Sequence, residues 1–63
     1  MFKLEFETRN ASFRDDYDNI DPSGMEVKQI LVKVGRAISN GATEGVAVDS
    51  CGNVVGSWSY TDD

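Results

Sequence analysis

Histidine is absent from the 63 residues, and cysteine occurs once, as Cys51. No intramolecular disulfide can form, and no zinc site of the Cys-His type can be assembled. A nucleophile activated by a neighbouring imidazole is excluded in the same way. There is no glycine-rich phosphate loop. No apolar run approaches the roughly 20 residues of a membrane span. The opening Met1-Phe2-Lys3-Leu4-Glu5 lacks the basic-then-apolar layout of a secretory signal. Together these absences argue against an enzyme, a metal site, a cofactor and a membrane partner. A lone thiol suits a reducing cytoplasm, which is the expected location.

Basic residues are also scarce. Six Lys and Arg stand against eleven Asp and Glu, for a net charge of −5. Residues 1–22 carry six acids against three bases. Residues 23–41 carry one acid against three bases. Residues 42–63 carry four acids and no base. An acidic chain repels phosphate backbones, so nucleic acid is disfavoured as a partner. A chain this short makes one domain, buries only about 60% of its unfolded surface and has a small core. Self-association is one remedy, which makes a homodimer a partner to consider.

The clearest positive signal is an amphipathic helix over residues 23–40. Val27, Ile30, Leu31, Val34 and Ile38 recur on one helical face. Lys28, Gln29, Lys33 and Arg36 lie on the other, with Val32 the one large apolar residue among them. Pro22 stops the preceding segment, and Ser23 with Glu26 fits a capping box. Asn40-Gly41 offers a left-handed stop. Gly35 is either a tolerated weakness or a point of close approach to a sheet.

Elsewhere the period is two. Residues 2–8 alternate, with Phe2, Leu4 and Phe6 on one side and Lys3, Glu5 and Glu7 on the other, as in a half-buried strand. Asn10 to Phe13 reads as a single helical turn capped by Asn10, with Phe13 plugging one end of the core. Asn10-Ala11-Ser12 also spells a glycosylation sequon, which is discounted without a secretion signal. Residues 9–22 form an acidic loop with no apolar period, the least ordered stretch by composition, which Ile20 anchors. The spacing of Asp16, Asp18 and Asp21 suggests calcium, but the glycine and terminal glutamate of an EF-hand loop are misplaced. Residues 43–49 and 53–60 read as a hairpin closed by Asp49-Ser50-Cys51-Gly52-Asn53, with a type I turn and a left-handed Gly52. Pairing Asp49 with Asn53 puts Val48, Val46, Glu44, Val54, Gly56 and Trp58 on the core face, with Gly56 beneath Gly35. Cys51 sits exposed at the tip, without a neighbouring base to activate it. Residues 61–63 form a polar tail that frays.

The order strand, helix, strand, strand predicts one α+β domain over residues 1–63. One helix lies on one face of a three-stranded sheet. The first strand either pairs antiparallel with the last, giving order 1-3-2, or lies parallel to the second through a right-handed crossover. The antiparallel arrangement is preferred. The second sheet face, with Lys3, Glu5, Glu7, Gly45, Ala47, Val55, Ser57 and Ser59, is open to water, to another subunit or to a partner. Candidate partner contacts are Asp15, Asp16, Tyr17 and Asp18 in the acidic loop, Lys28, Lys33 and Arg36 on the helix, and Trp58 and Tyr60 where exposed.

The chain resembles small bacteriophage and prophage proteins of uncharacterised function. The resemblance rests on the opening Met-Phe-x-Leu-x-Phe-x-Thr-x-Asn-Ala-x-Phe of residues 1–13 and on Glu26-Val27-x-x-Ile30-Leu31 in the helix. It extends to the hairpin Asp49-x-x-Gly52-Asn53-x-Val55-Gly56-x-Trp58. It implies a viral origin and action inside a bacterial host cell, and it transfers no catalytic residue. The expectation is therefore a non-enzymatic accessory protein that binds a host protein. Alternatives are a self-assembling structural subunit using the open sheet face and a host-defence inhibitor that mimics nucleic acid by its acidity.

Overall fold

A computed structural model describes residues 1–62, so Asp63 of the expected tail lies outside the described residues. The elements are β1 (Phe2–Phe6), a single 3-10 turn (Ala11–Phe13), α1 (Met25–Ser39), β2 (Glu44–Val48) and β3 (Val54–Tyr60). The fold is α+β. The sheet is antiparallel throughout, with β3 between β1 and β2, in the order 1-3-2. Thr61 extends the pairing, its N–H donating to the Met1 carbonyl at 3.0 Å, so the tail begins tied to β1. Among the described residues no helix is long and apolar enough to cross a membrane.

Phe13, Ile30, Val34, Ala47 and Trp58 form the buried core, with Leu4, Phe6, Val27, Ala37, Ile38, Ala42 and Val55 packed around it. Phe13 does close one end: its ring stacks on that of Phe6, with centroids 5.9 Å apart. Ile20, the expected loop anchor, is instead more than half exposed. A buried aromatic contributes about 2 kcal/mol or more from area alone, so two of them carry much of a small core.

The hairpin register differs from the expected one. Val48 faces Val54 as predicted, but a bulge separates it from Ala47, and Ala47 faces Gly56, Val46 faces Ser57, Gly45 faces Trp58 and Glu44 faces Ser59. A one-residue slip moves every side chain of a strand to the other face. Ala47 is therefore in the core, and Val46 and Glu44 are exposed. Trp58 stays inside, at 5% exposure, and Gly45 leaves room for its indole: a Cβ there would lie 2.8 Å from Trp58 Nε1.

The expected contact of Gly35 with Gly56 does not form. A Cβ on Gly35 would meet nothing within 4 Å, whereas one on Gly56 would lie 1.9 Å from the Glu5 carbonyl oxygen and 2.5 Å from Phe6 Cα. The close approach at Gly56 is made by β1, not by the helix. Gly35 is the tolerated weakness, so Gly35→Ala is expected to stabilise the fold by about 0.5–1 kcal/mol. Thermal melts followed by circular dichroism check this; an unchanged or lower midpoint contradicts it.

The helix also starts differently. Gly24, left-handed at φ 65°, takes the cap position; Ser23 Oγ accepts from Met25 N–H at 3.4 Å, but the box with Glu26 is not made. Glu26 is drawn away: its carboxylate accepts from Ser50 N–H at 2.9 Å and Ser50 Oγ at 2.7 Å. Helix and hairpin turn are thereby stapled together. The far end is as read. Gly41 N–H donates to Ile38 and Ala42 N–H to Ala37, each at 3.0 Å, with Gly41 at φ 95°. This is the Schellman stop. The helix packs against β2 and the 3-10 turn. Leu31, on its flank, is half exposed.

Candidate interaction surface

The polar frame of the molecule is organised by Asp49, which is 1% exposed. Its Oδ1 accepts from Cys51 N–H at 3.0 Å and Asn53 N–H at 2.8 Å, which folds the hairpin turn. Its Oδ2 accepts from Asn10 Nδ2 at 3.0 Å, Ser12 Oγ at 2.9 Å and Asn53 Nδ2 at 3.3 Å. Asn10 therefore makes no side-chain cap on its own turn; it joins that turn to the hairpin. Donation from the Asn10 amide, with further bonds from Asn53 and Ser12, outweighs burial and holds the Asp49 carboxyl well below the usual carboxylate range. Asp49 is fully committed as an acceptor and is structural. Local patterning shows only its turn role, because its partners Asn10 and Ser12 lie 39 and 37 residues away.

The acidic loop hangs from this frame and is folded in detail. Asp21 N–H donates to the carbonyl of the buried Phe13 at 2.8 Å, and Arg14 and Ile20 form an antiparallel bridge. Asp15 N–H donates to the Asn19 carbonyl at 2.7 Å, and Asp18 N–H donates to the Asp15 carbonyl at 3.1 Å. The Asp15 side chain turns inward, with Oδ1 accepting from Tyr17 N–H at 2.9 Å and Asn19 N–H at 3.0 Å. This is the Asx-turn chemistry for which aspartate is favoured in loops. Asp18 sits at φ 61°, which aspartate tolerates better than most residues. At the tip Tyr17 is 85% exposed, between Asp16 and Asp18, which are exposed too. Of the four predicted loop contacts, Asp16, Tyr17 and Asp18 project together and Asp15 braces them. Asp21 is occupied elsewhere, accepting from Ser23 N–H at 2.9 Å, which lowers its pKa. Among the described residues no three acidic or thiol groups are placed to hold a metal ion.

The other predicted contacts are dispersed. Lys28, Lys33 and Arg36 are all exposed, but at 100° per residue Lys28 and Lys33 lie about 140° apart around the helix. They spread over its outer half and form no compact stripe. Trp58 is buried and offers no contact. Tyr60 is half exposed beside Phe2, ring centroids 6.4 Å apart, and Phe2 itself is 47% exposed. Tyr60 is thus exposed, as a partner contact requires, whereas Phe2 shares the alternation of Leu4 and Phe6, and no pattern within one strand tells which of its residues the helix fails to cover. Cys51 is an exposed free thiol in the hairpin turn. No protein-family model matches the chain, and no characterised protein or solved structure is significantly similar to it.

Proposed function

We propose that the chain is a non-enzymatic interaction protein whose acidic loop docks on a basic surface of a protein in a bacterial host cell. The observation that carries this reading is Tyr17, 85% exposed at the tip of a loop braced by Asp15. Tyrosine is favoured as a binding anchor because it offers a large amphipathic surface with few rotatable bonds. A loop already folded loses little conformational freedom on binding. Asp16 and Asp18 steer the tip toward positive potential and set register on arrival. The resemblance to phage proteins supplies the host-cell setting and the role of accessory factor. Mimicry of a nucleic-acid backbone fits less well, since only two carboxylates project at the tip while Asp15 and Asp21 are turned to backbone donors.

The test compares the wild-type chain with a triple variant, Asp16→Asn, Tyr17→Ala and Asp18→Asn, as bait in a bacterial lysate. None of the three side chains supports the loop, so the melting midpoint should be unchanged. A specific partner retained at about 50 mM salt should fall at least about tenfold with the variant and weaken as salt rises. The same proteins retained equally by both baits would remove the loop from the account.

A further inference from the structure

The sheet has two free edges, and one of them is complementary to itself. The ladder between β1 and β3 is bracketed by two backbone bonds: Thr61 N–H to the Met1 carbonyl at 3.0 Å and Glu7 N–H to the Val55 carbonyl at 2.9 Å. Bonded residues alternate along an antiparallel pair. Lys3 and Glu5 therefore turn their backbone groups toward β3, where they face Ser59 and Ser57. Phe2, Leu4 and Phe6 turn theirs outward along the edge. Their side chains lie on the helix side of the sheet, and those of Lys3 and Glu5 lie on the open face.

We infer that β1 pairs antiparallel with β1 of a second copy about a two-fold axis at Leu4, setting Lys3 of each copy against Glu5 of the other. In this register Leu4 faces Leu4, and Phe2 faces Phe6. Each of these outward residues exchanges both backbone bonds with its opposite number. Lys3 and Glu5 then fall at the non-bonded positions, where cross-strand side chains come closest. Sliding the register by one allowed step sets Lys3 against Lys3 in one direction and, in the other, Glu5 against Glu5 with Lys3 against Glu7; only the register centred on Leu4 opposes Lys3 to Glu5 with no like-charged pair. Charge thus selects one register among those the backbone permits. A lysine on an edge strand ordinarily guards it against pairing; here Glu5, two residues on, supplies the matching charge. The β2 edge has no such match. Thr43 accepts from Tyr60 N–H at 2.8 Å, which turns Glu44 and Val46 outward, and residues 42–63 contain no base.

The product is one continuous sheet of twice three strands with both helices on the same face, the closed isologous arrangement of most dimers. It covers the exposed Phe2, which comes to lie beside the partner copy's Phe6 and extends the stack of Phe6 on Phe13. The edge shares no residue with the Tyr17 loop. Failure of either proposal leaves the other standing.

Sedimentation equilibrium of the full chain, from about 1 μM to about 1 mM, reads the association directly. The wild type should approach twice the monomer mass toward the top of the range. Lys3→Glu and Glu5→Lys each place like charges across the axis and should weaken the dimer at least about tenfold. An equimolar mixture of the two should associate again, because one then carries two acids where the other carries two bases. Both side chains stand on the open face opposite serines, and circular dichroism checks that the fold is kept. Should a single variant misfold, the double swap Lys3→Glu with Glu5→Lys reads the same pairing and should dimerise as the wild type does. A wild type monomeric throughout, a dimer indifferent to Lys3→Glu, or single variants that stay apart when mixed would each overturn the inference.

Discussion

Gly56→Ala is expected to detach β1 from the sheet. A Cβ at this position would lie 1.9 Å from the Glu5 carbonyl oxygen and 2.5 Å from Phe6 Cα, both of them backbone atoms. A flexible side chain could swing aside, but a strand must move as a whole. Its movement would break the pairing of Phe6 with Gly56 and pull Phe6 from Phe13. Overpacking of a well-packed core costs about 1–3 kcal/mol, and an obstruction by backbone belongs at or above the top of that range. A chain of this size has little stability in reserve. The melting midpoint should fall by more than about 10 °C, and the wild-type strand signal should be lost first. Gly45→Ala is the control: its Cβ meets the tip of the Trp58 indole, which can tilt, so the loss should be smaller. Equal melting of Gly56→Ala and wild type would contradict the pairing of β1 with β3.

Asp49→Ala is expected to cost nearly as much, through a different link. It leaves Cys51 N–H and Asn53 N–H without their acceptor and cuts the 3-10 turn at Asn10 and Ser12 from the hairpin. Unpaired donors in a part-buried site are expensive, and a drop in midpoint of about 10 °C is expected. Acid should produce the same weakening reversibly. The folded-state pKa of Asp49 is depressed, chiefly by the Asn10 amide, so its stabilisation is fully present above the unfolded value of about 3.9. It is lost as pH falls from there through the folded pKa. Asp21, lowered by Ser23 N–H, acts in the same direction. Stability should be flat from about pH 7 to about pH 5 and fall below about pH 4. In Asp49→Asn most of that acid-dependent fall should be missing. Its amide keeps one acceptor for the turn but presents donors to Asn10 and Asn53. A wild-type midpoint indifferent to pH between about 5 and 2 would contradict the role given to Asp49.

Much of the architecture follows from period and punctuation alone. The alternation of Phe2, Leu4 and Phe6, the helical spacing of Val27 to Ile38, and Gly41 and Gly52 as left-handed residues determine the elements and their order. The misreadings depend on contacts between segments that no single element's pattern contains. The bulge between Ala47 and Val48 is not marked by any residue type, since Val54-Val55 fits either face. Yet it exchanges Val46 for Ala47 in the core. Glu26 has the spacing of a capping box, and Ser50, 24 residues away, draws its carboxylate off. Gly56 marks a close approach as expected, but β1 rather than the helix makes it. The candidate site divides in the same way. The acidic composition singles out residues 15–18, whereas Asp15 as brace and Tyr17 as tip emerge only from the folded loop.

The most direct test places a photo-crosslinking amino acid at position 17 of the chain expressed in a bacterial host. Val54, exposed on the sheet, serves as the control position. Irradiation should give a discrete adduct with a host protein from position 17 and none of the same mass from position 54, and Asp16→Asn with Asp18→Asn should diminish it. An adduct that forms equally from position 54, or no adduct from position 17 at any expression level, would contradict the assignment of the Tyr17 loop as the binding surface.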